Sequence, residues 1–307
     1  MILITEFMDE LSVQKLENRY EVIYDPSLVN NQKQITRLIK DSQAIIVRNK
    51  TLVTRELIEF APNLLCVGRL GVGLDNIDTK ACKDRKIAVY PATGANARSV
   101  AEYVICTAMV LFRGAFNKNS EILSGQWPRQ ESSGLELCGK IIGLIGFGQI
   151  AQRLRTLATA LGMEVVAYDP YLSSDAKVWE DTQKVSLDKL LTVSDVISLH
   201  VPLTTETRNL IDKKRLRLVK RSSVLINSAR GGIVNEQELA FAIKEGRILG
   251  AALDVFSKEP LNVELANHFK GLPNIILTPH IAGVTRESNL RVSELVAKRI
   301  DEHLSNL

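Results

Sequence analysis

The chain has no cationic block, no long apolar run and no paired cysteines, and each absence removes a class of function. Its 39 Lys and Arg against 35 Asp and Glu leave a formal net charge of +4 over 307 residues. With no Lys/Arg cluster in that balance, nucleic acid is not an indicated partner. A small anionic substrate stays compatible, because a local group of arginines does not need a large net charge. No window reaches the roughly 18 apolar residues of a membrane span, so no membrane partner is expected. The opening "MILITEFMDEL" lacks the basic start and cleavage site of a secretory signal. Cys66, Cys82, Cys106 and Cys138 are scattered, with no C-x-x-C spacing. They read as small apolar residues in a reducing compartment, with no disulfide or zinc framework and no metal site. The expectation is a cytoplasmic protein. Histidine is scarce as well, with four in the chain.

What is present is alternation. The length exceeds one usual domain and fits two. Short apolar runs recur, each followed by a helical pattern: "ILIT", "YEVIY", "QAIIVR", "LLCVGRL" and "IAVY" in the first part. Amphipathic segments such as Lys33–Ile39 and Thr54–Phe60 lie between them. After "ATGANA", a long helix is predicted from Ser99 to Leu123, apolar on most faces at first and therefore buried. The alternation restarts at Ile141 with "IIGLIG", "EVVAYD", "DVISLH", "SVLINS", "GAALDV" and "NIILT". A last helix is predicted over Arg286–Leu304. Alternating strands and helices mean parallel sheets covered on both faces. The fold class is α/β, with two Rossmann-like or flavodoxin-like domains.

The strongest local motif is "GLIGFGQIAQRL", Gly143–Leu154. Gly146 and Gly148 stand where a strand ends and a helix begins. A pyrophosphate there would meet free backbone N–H groups and the positive end of the helix dipole, and a Cβ would obstruct it. Ala151 replaces the third glycine of the usual G-x-G-x-x-G, a position that mainly sets helix–strand packing. An acid closes the next strand at Asp169, near the expected spacing of about 20 residues. It would accept from the adenosine ribose and repel a 2′-phosphate, which favours NAD over NADP.

Ligands of an open α/β sheet bind beyond the carboxyl ends of its strands. Arg230 follows "SVLINS", Glu259 follows "GAALDV", and His280 follows "NIILTP". This trio suits interconversion of a 2-hydroxy acid and a 2-oxo acid. His280 can take the hydroxyl proton, with Glu259 beside it orienting the ring and favouring its protonated form. Arg230 can hold the carboxylate and polarise the carbonyl with its planar fork.

Seven motifs carry a wider resemblance: "GRLGVGLDNID" (68–78), "NARSVAEY" (96–103), "LCGKIIGLIGFGQIAQRL" (137–154), "LHVPLTTETRNLI" (199–211), "INSARGGIVNEQEL" (226–239), "ALDVFSKEP" (252–260) and "TPHIAGVT" (278–285). The chain resembles the D-isomer-specific 2-hydroxyacid dehydrogenase family, most closely its D-3-phosphoglycerate dehydrogenase branch. The resemblance implies a substrate-binding domain at 1–95 plus 284–307, an NAD-binding domain at 96–283, and an active site in the cleft between them. It implies Arg230, Glu259 and His280 as catalytic residues. It implies NAD contacts from Val72, Gly146, Gly148, Gln149, Ile150, Asp169, Val201, Pro202, Ser228, Ala229, Arg230, Asp254, His280 and Gly283. Substrate contacts are implied for Arg48, Asn49, Asn96 and Arg230, and for Gly71, Val72 and Gly73, whose backbone N–H groups would cradle the carboxylate.

The implied substrate is 3-phosphoglycerate, interconverted with 3-phosphohydroxypyruvate as in serine biosynthesis. Sulfolactate and hydroxypyruvate or glyoxylate are the alternatives within the class. Outside it stand a formate- or phosphonate-type oxidoreductase and a non-enzymatic NAD-sensing binding protein of the same fold. The chain ends at the helix that returns to the first lobe, so no C-terminal regulatory domain is expected. Homodimers are implied, with the 99–123 helix and its following loop at the interface. Trp127 and Arg129 in that loop would either reach a partner's active site or pack within the chain.

Overall fold

The computed structural model describes residues 1–306. It divides into two compact units: Met1–Asn96 with the segment from Val284 onward, and Ala97–Gly283.

The first unit is built on β1 (Ile2–Ile4), β2 (Val22–Tyr24), β3 (Ala44–Val47), β4 (Cys66–Arg69) and β5 (Ala88–Pro91). All pair in parallel in the order β2-β1-β3-β4-β5, the flavodoxin-type order. Both faces are covered, so the strands are continuous apolar runs rather than alternating ones. One face packs Leu3, Ile45 and Val67 against Ile35, Leu57 and Ile58 of the intervening helices. The other packs Ile2, Ile4 and Ile46 against Val292, Val296 and Ile300 of the helix Arg286–Ser305. Each such side chain contributes about 1.5–3 kcal/mol on burial. Gly68 admits that helix: a Cβ there would lie 2.7 Å from a Val296 methyl. Thr285 starts the helix with a capping box to Ser288.

The second unit carries β6 (Ile141–Ile145), β7 (Glu164–Tyr168), β8 (Gln183–Lys184), β9 (Val196–Leu199), β10 (Val224–Asn227), β11 (Gly250–Leu253) and β12 (Ile275–Leu277). Their order is β12-β11-β10-β9-β6-β7-β8, again all parallel. The order reverses at β6, with β7 on one side and β9 on the other. That is the switch point at which a dinucleotide-binding sheet opens a crevice. Helices Ala97–Arg113 and Gln149–Ala160 cover one face over Ile142, Leu144 and Ile226. Ala151, the residue in place of the third motif glycine, is fully buried in this layer. The two-residue β8 has no apolar signal and is not legible as a strand in the sequence.

One expectation is corrected. The single helix predicted from Ser99 to Leu123 is two helices, Ala97–Arg113 and Asn119–Leu123, with a 3-10 turn at Ala115–Asn117 between them. Gly114 takes a left-handed conformation (φ 61°) and ends the first helix. The buried stripe stops with it, at Leu111 and Phe112. Trp127 lies beyond this break as an exposed side chain, not a packed one. Among the described residues no helix is long and apolar enough to cross a membrane, and no cluster of potential metal ligands occurs.

Candidate active site

The carboxyl edge of the seven-stranded sheet collects the chemistry. After β6, Gly146 turns the chain with φ 89° and donates its N–H to Tyr168 O (2.8 Å). A Cβ on Gly146 would lie 2.7 Å from His200 O, so glycine is required by both dihedral and space. Gly148 is the N-cap of the helix Gln149–Ala160, with no side chain capping it. A Cβ there would meet nothing within 4 Å. The helix therefore presents Gln149 and Ile150 at an open, uncapped N-terminus suited to a pyrophosphate.

Asp169 follows β7. Its carboxylate accepts from the N–H of Phe147 (2.9 Å), Tyr171 (3.0 Å) and Leu172 (3.2 Å). It thus pins the glycine turn to the next strand. A carboxylate has about four acceptor sites, so one remains for a ribose hydroxyl. After β9 come His200, Val201 and Pro202. His200 N–H donates to Ile145 O (2.7 Å), and its ring contacts the Ser198 hydroxyl (2.9 Å). Burial pushes the His200 imidazole down to about 4, so it is neutral and structural near pH 7.

After β10, Asn227 folds the loop on itself. Its side chain accepts from Ala229 N–H (3.1 Å) and donates to Arg230 O (2.9 Å). Ser228 holds a buried hydroxyl with no partner, a group awaiting a ligand polar atom. The Arg230 guanidinium donates to Ala229 O (2.6 Å). Gly231 lets this loop touch the next one, since a Cβ would lie 1.8 Å from Phe256 O.

After β11 and β12 the titratable pair forms. His280 Nδ1 lies 2.7 Å from Glu259 Oε2. The other oxygen of Glu259 accepts from Phe256 N–H (3.0 Å). An ionised carboxylate only accepts, so Nδ1 carries the hydrogen and Nε2 is left as a base. The imidazole is about half exposed, with 49% of its side chain accessible, which leaves it reachable by substrate. His280 sits in the left-handed region (φ 55°), an uncommon place for a non-glycine residue. Its backbone is held there by Asp254, whose carbonyl accepts the His280 N–H (2.8 Å). The Asp254 carboxylate, 1% exposed, accepts from Thr278 Oγ1 (2.6 Å), Ile281 N–H (2.7 Å) and Ala282 N–H (2.8 Å). The resemblance implied Asp254 as a cofactor contact; three donors from the loop leave one of the roughly four acceptor sites of its carboxylate for that role. Gly283 closes the loop.

In the first unit, the loops after β3 and β4 hold the other expected residues. Glu6 organises the former: its carboxylate accepts from the N–H of Arg48 (2.9 Å), Asn49 (3.3 Å), Lys50 (3.1 Å) and Thr51 (2.9 Å). The Arg48 guanidinium is half-buried, donates to Asn289 Oδ1 (3.0 Å) and lies over the Phe7 ring. Burial lowers its pKa, against the opposing pull of Glu6. After β4, Gly71 donates back to Arg69 O (2.7 Å), and Val72 is exposed. Among the described residues no acceptor takes the N–H of Val72 or Gly73, which leaves two adjacent donors for an anion. Asn96 keeps a buried, unpartnered Oδ1.

Glu6, Thr278 and Tyr103 escaped the reading of the sequence. The only signal for Glu6 was an acid two residues after β1; Tyr103 and Thr278 stand in two of the quoted motifs, "NARSVAEY" and "TPHIAGVT", with no role read for either.

A Rossmann-order sheet with an open glycine turn, an acid after the second strand and a His–Glu pair at its carboxyl edge defines a dinucleotide-dependent oxidoreductase. Residues 105–282 match the model of the D-isomer specific 2-hydroxyacid dehydrogenase NAD binding domain. The chain is 46% identical over 300 residues to the (S)-sulfolactate dehydrogenase of Chromohalobacter salexigens, covering 97% of this chain and 96% of that one. It is 36% identical over 304 residues to the D-3-phosphoglycerate dehydrogenase of Methanocaldococcus jannaschii, covering 99% of this chain but 57% of that relative. A solved structure of D-lactate dehydrogenase from Aquifex aeolicus, complexed with NAD and lactic acid, superposes with a TM-score of 0.87 at 29% identity, over the whole of this chain and 96% of that one. The chain belongs to the D-isomer-specific 2-hydroxyacid dehydrogenase family and is an NAD-dependent oxidoreductase of that class.

Proposed function

We propose that this enzyme interconverts a D-2-hydroxy acid bearing a second anionic group and its 2-oxo acid, and that the second group is a sulfonate. One observation carries the choice: the 46% identity to a sulfolactate dehydrogenase runs nearly end to end in both chains. Such a substrate fits a D-specific site. Sulfur outranks oxygen in the priority rules, so the (S) label of sulfolactate describes the spatial arrangement of an ordinary D-2-hydroxy acid. The sequence alone placed 3-phosphoglycerate first; the comparison moves the sulfonate ahead of it. Phosphoglycerate is the second reading, favoured by relatives such as the 36% identical enzyme.

In the oxidative direction His280 Nε2 takes the hydroxyl proton, and Glu259 stabilises the imidazolium through Nδ1. Arg230 holds the carboxylate and polarises the forming carbonyl. The N–H groups of Val72 and Gly73 bind the same carboxylate, and Arg48 with Asn49 lies in the loop offered to the second anion. Bound NAD supplies the hydride acceptor. Gly146, Gly148, Gln149 and Ile150 hold its pyrophosphate, Asp169 its ribose. Ser228, Ala229, Val201 and Pro202 line the remaining contacts.

The test is NADH formation across sulfolactate, 3-phosphoglycerate, D-lactate, formate and phosphite, with hydroxypyruvate and glyoxylate run in reverse. The highest kcat/KM falls on sulfolactate. A preference for 3-phosphoglycerate would establish the second reading, and turnover of none would refute both.

Two further properties belong to the proposal. The chain forms homodimers through the segment after Gly114, where Leu123 is 88% and Trp127 is 77% exposed. Leu123→Asp lowers the mass seen by sedimentation from dimer to monomer; an unchanged mass refutes this face. The protein is cytoplasmic, in keeping with four free cysteines, two of them buried; fractionation of cells checks this.

A further inference from the structure

Tyr103 lies on the helix Ala97–Arg113 and was assigned no role in the site. Its hydroxyl is 2.6 Å from Thr278 Oγ1, and that oxygen is 2.6 Å from the Asp254 carboxylate. We propose that Tyr103 is a positioning residue for the proton-transfer histidine, acting through Thr278 and Asp254 on the loop that carries His280. The inference rests on His280 being the acid–base group.

A count of protons sets the direction. The Asp254 carboxylate can only accept, so Thr278 spends its single hydrogen on it. Thr278 Oγ1 can then only accept from Tyr103, whose O–H donates. The chain therefore runs Tyr103 to Thr278 to Asp254, and it needs a protonated phenol at one end and a charged carboxylate at the other. Burial pushes the Tyr103 phenol up to about 12, which keeps it a donor throughout the working pH range. Asp254 passes the constraint on: it also accepts from Ile281 and Ala282 N–H, and its carbonyl accepts from His280 N–H. These three bonds hold the backbone of His280, itself at positive φ, and of the two residues after it. A hydrogen-bonded chain of this kind polarises along its length, so removing the first donor weakens every later link. The helix thereby anchors a loop whose other contacts come from the sheet edge.

Tyr103→Phe keeps the ring and its packing and removes only the donor. The first readout is hydrogen exchange of the Ile281 and Ala282 amides, followed by mass spectrometry on the full-length protein. Exchange quickens roughly fivefold in Tyr103→Phe, the worth of about one net hydrogen bond. Thr278→Val quickens it as much or more, Thr278→Ser leaves it near wild type, and the Tyr103→Phe, Thr278→Val double variant is no faster than Thr278→Val alone. The second readout is turnover of the acid selected by the substrate panel: kcat falls by a similar factor while the NAD dissociation constant holds. Wild-type protection in Tyr103→Phe, or effects that add in the double variant, would overturn the proposal. Full activity in His280→Ala would instead remove the acid–base assignment and leave the exchange result standing.

Discussion

Glu6 in the first unit and Asp254 in the second are both buried carboxylates that gather backbone N–H groups at the carboxyl edge of a parallel sheet. Glu6 takes four consecutive donors, Arg48 to Thr51. Asp254 takes two amides and a threonine hydroxyl. Each needs no cation, because enough N–H and O–H donors replace the lost water. The loops they hold are loaded differently. The first unit's loop carries Arg48 and Asn49, proposed as binding groups. The second unit's loop carries His280, hydrogen-bonded to Glu259 and proposed as the proton-transfer group. Under the proposed function the same kind of clamp would serve recognition in one unit and proton transfer in the other.

The comparison is broken most directly at His280. His280→Ala lowers kcat by roughly 10²–10⁴-fold, the worth of a positioned acid–base group, and Arg230→Ala raises KM as well as lowering kcat. Steady-state kinetics with the preferred acid checks both, and wild-type rates in either variant would refute the assignment. The clamp in the first unit is next in size. Glu6→Gln turns one acceptor into a donor facing other donors, and costs about 2–3 kcal/mol of stability. Urea unfolding reads that loss. Kinetics reads the contrast: KM for the acid rises while kcat stays within about threefold. A fall in kcat as large as that of His280→Ala would erase the division between the two loops.

The smallest effect comes from His200, which lies at the same edge but belongs to neither loop. Its folded pKa, about 4, is below the ordinary value of 6.5. As pH falls the unfolded chain takes up the proton first, so stability drops between 6.5 and 4 and levels below that. At pH 5.5 the loss from this group is on the order of 1 kcal/mol. The difference in urea midpoint between wild type and His200→Asn narrows correspondingly from pH 7 to 5.5. A constant difference would show that His200 is not buried neutral.

Much of the fold is legible because its signals are local. A buried parallel strand is a run of apolar residues wherever it occurs, and eleven such runs are strands here, from Ile2–Ile4 to Ile275–Leu277. The glycine turn is equally local, since Gly146 must take positive φ and has no room for a Cβ. The contact of Glu259 with His280 was foreshadowed by their place after two strands that turn out to be neighbours, β11 and β12. The break at Gly114 was hidden by an apolar pattern continuing through Phe116 and Ile122, which the structure leaves exposed.

Sequence alone therefore determined the class of this protein, because βα alternation, the glycine turn and the placing of Arg230, Glu259 and His280 each just after an apolar strand are local signals. Tertiary structure decided how the reactive loop is held. Tyr103 and Thr278 lie 175 positions apart and Glu6 and Arg48 lie 42 apart. No local propensity encodes such bonds: they exist only once the sheets have brought distant strand ends together and removed the water that would otherwise satisfy each group.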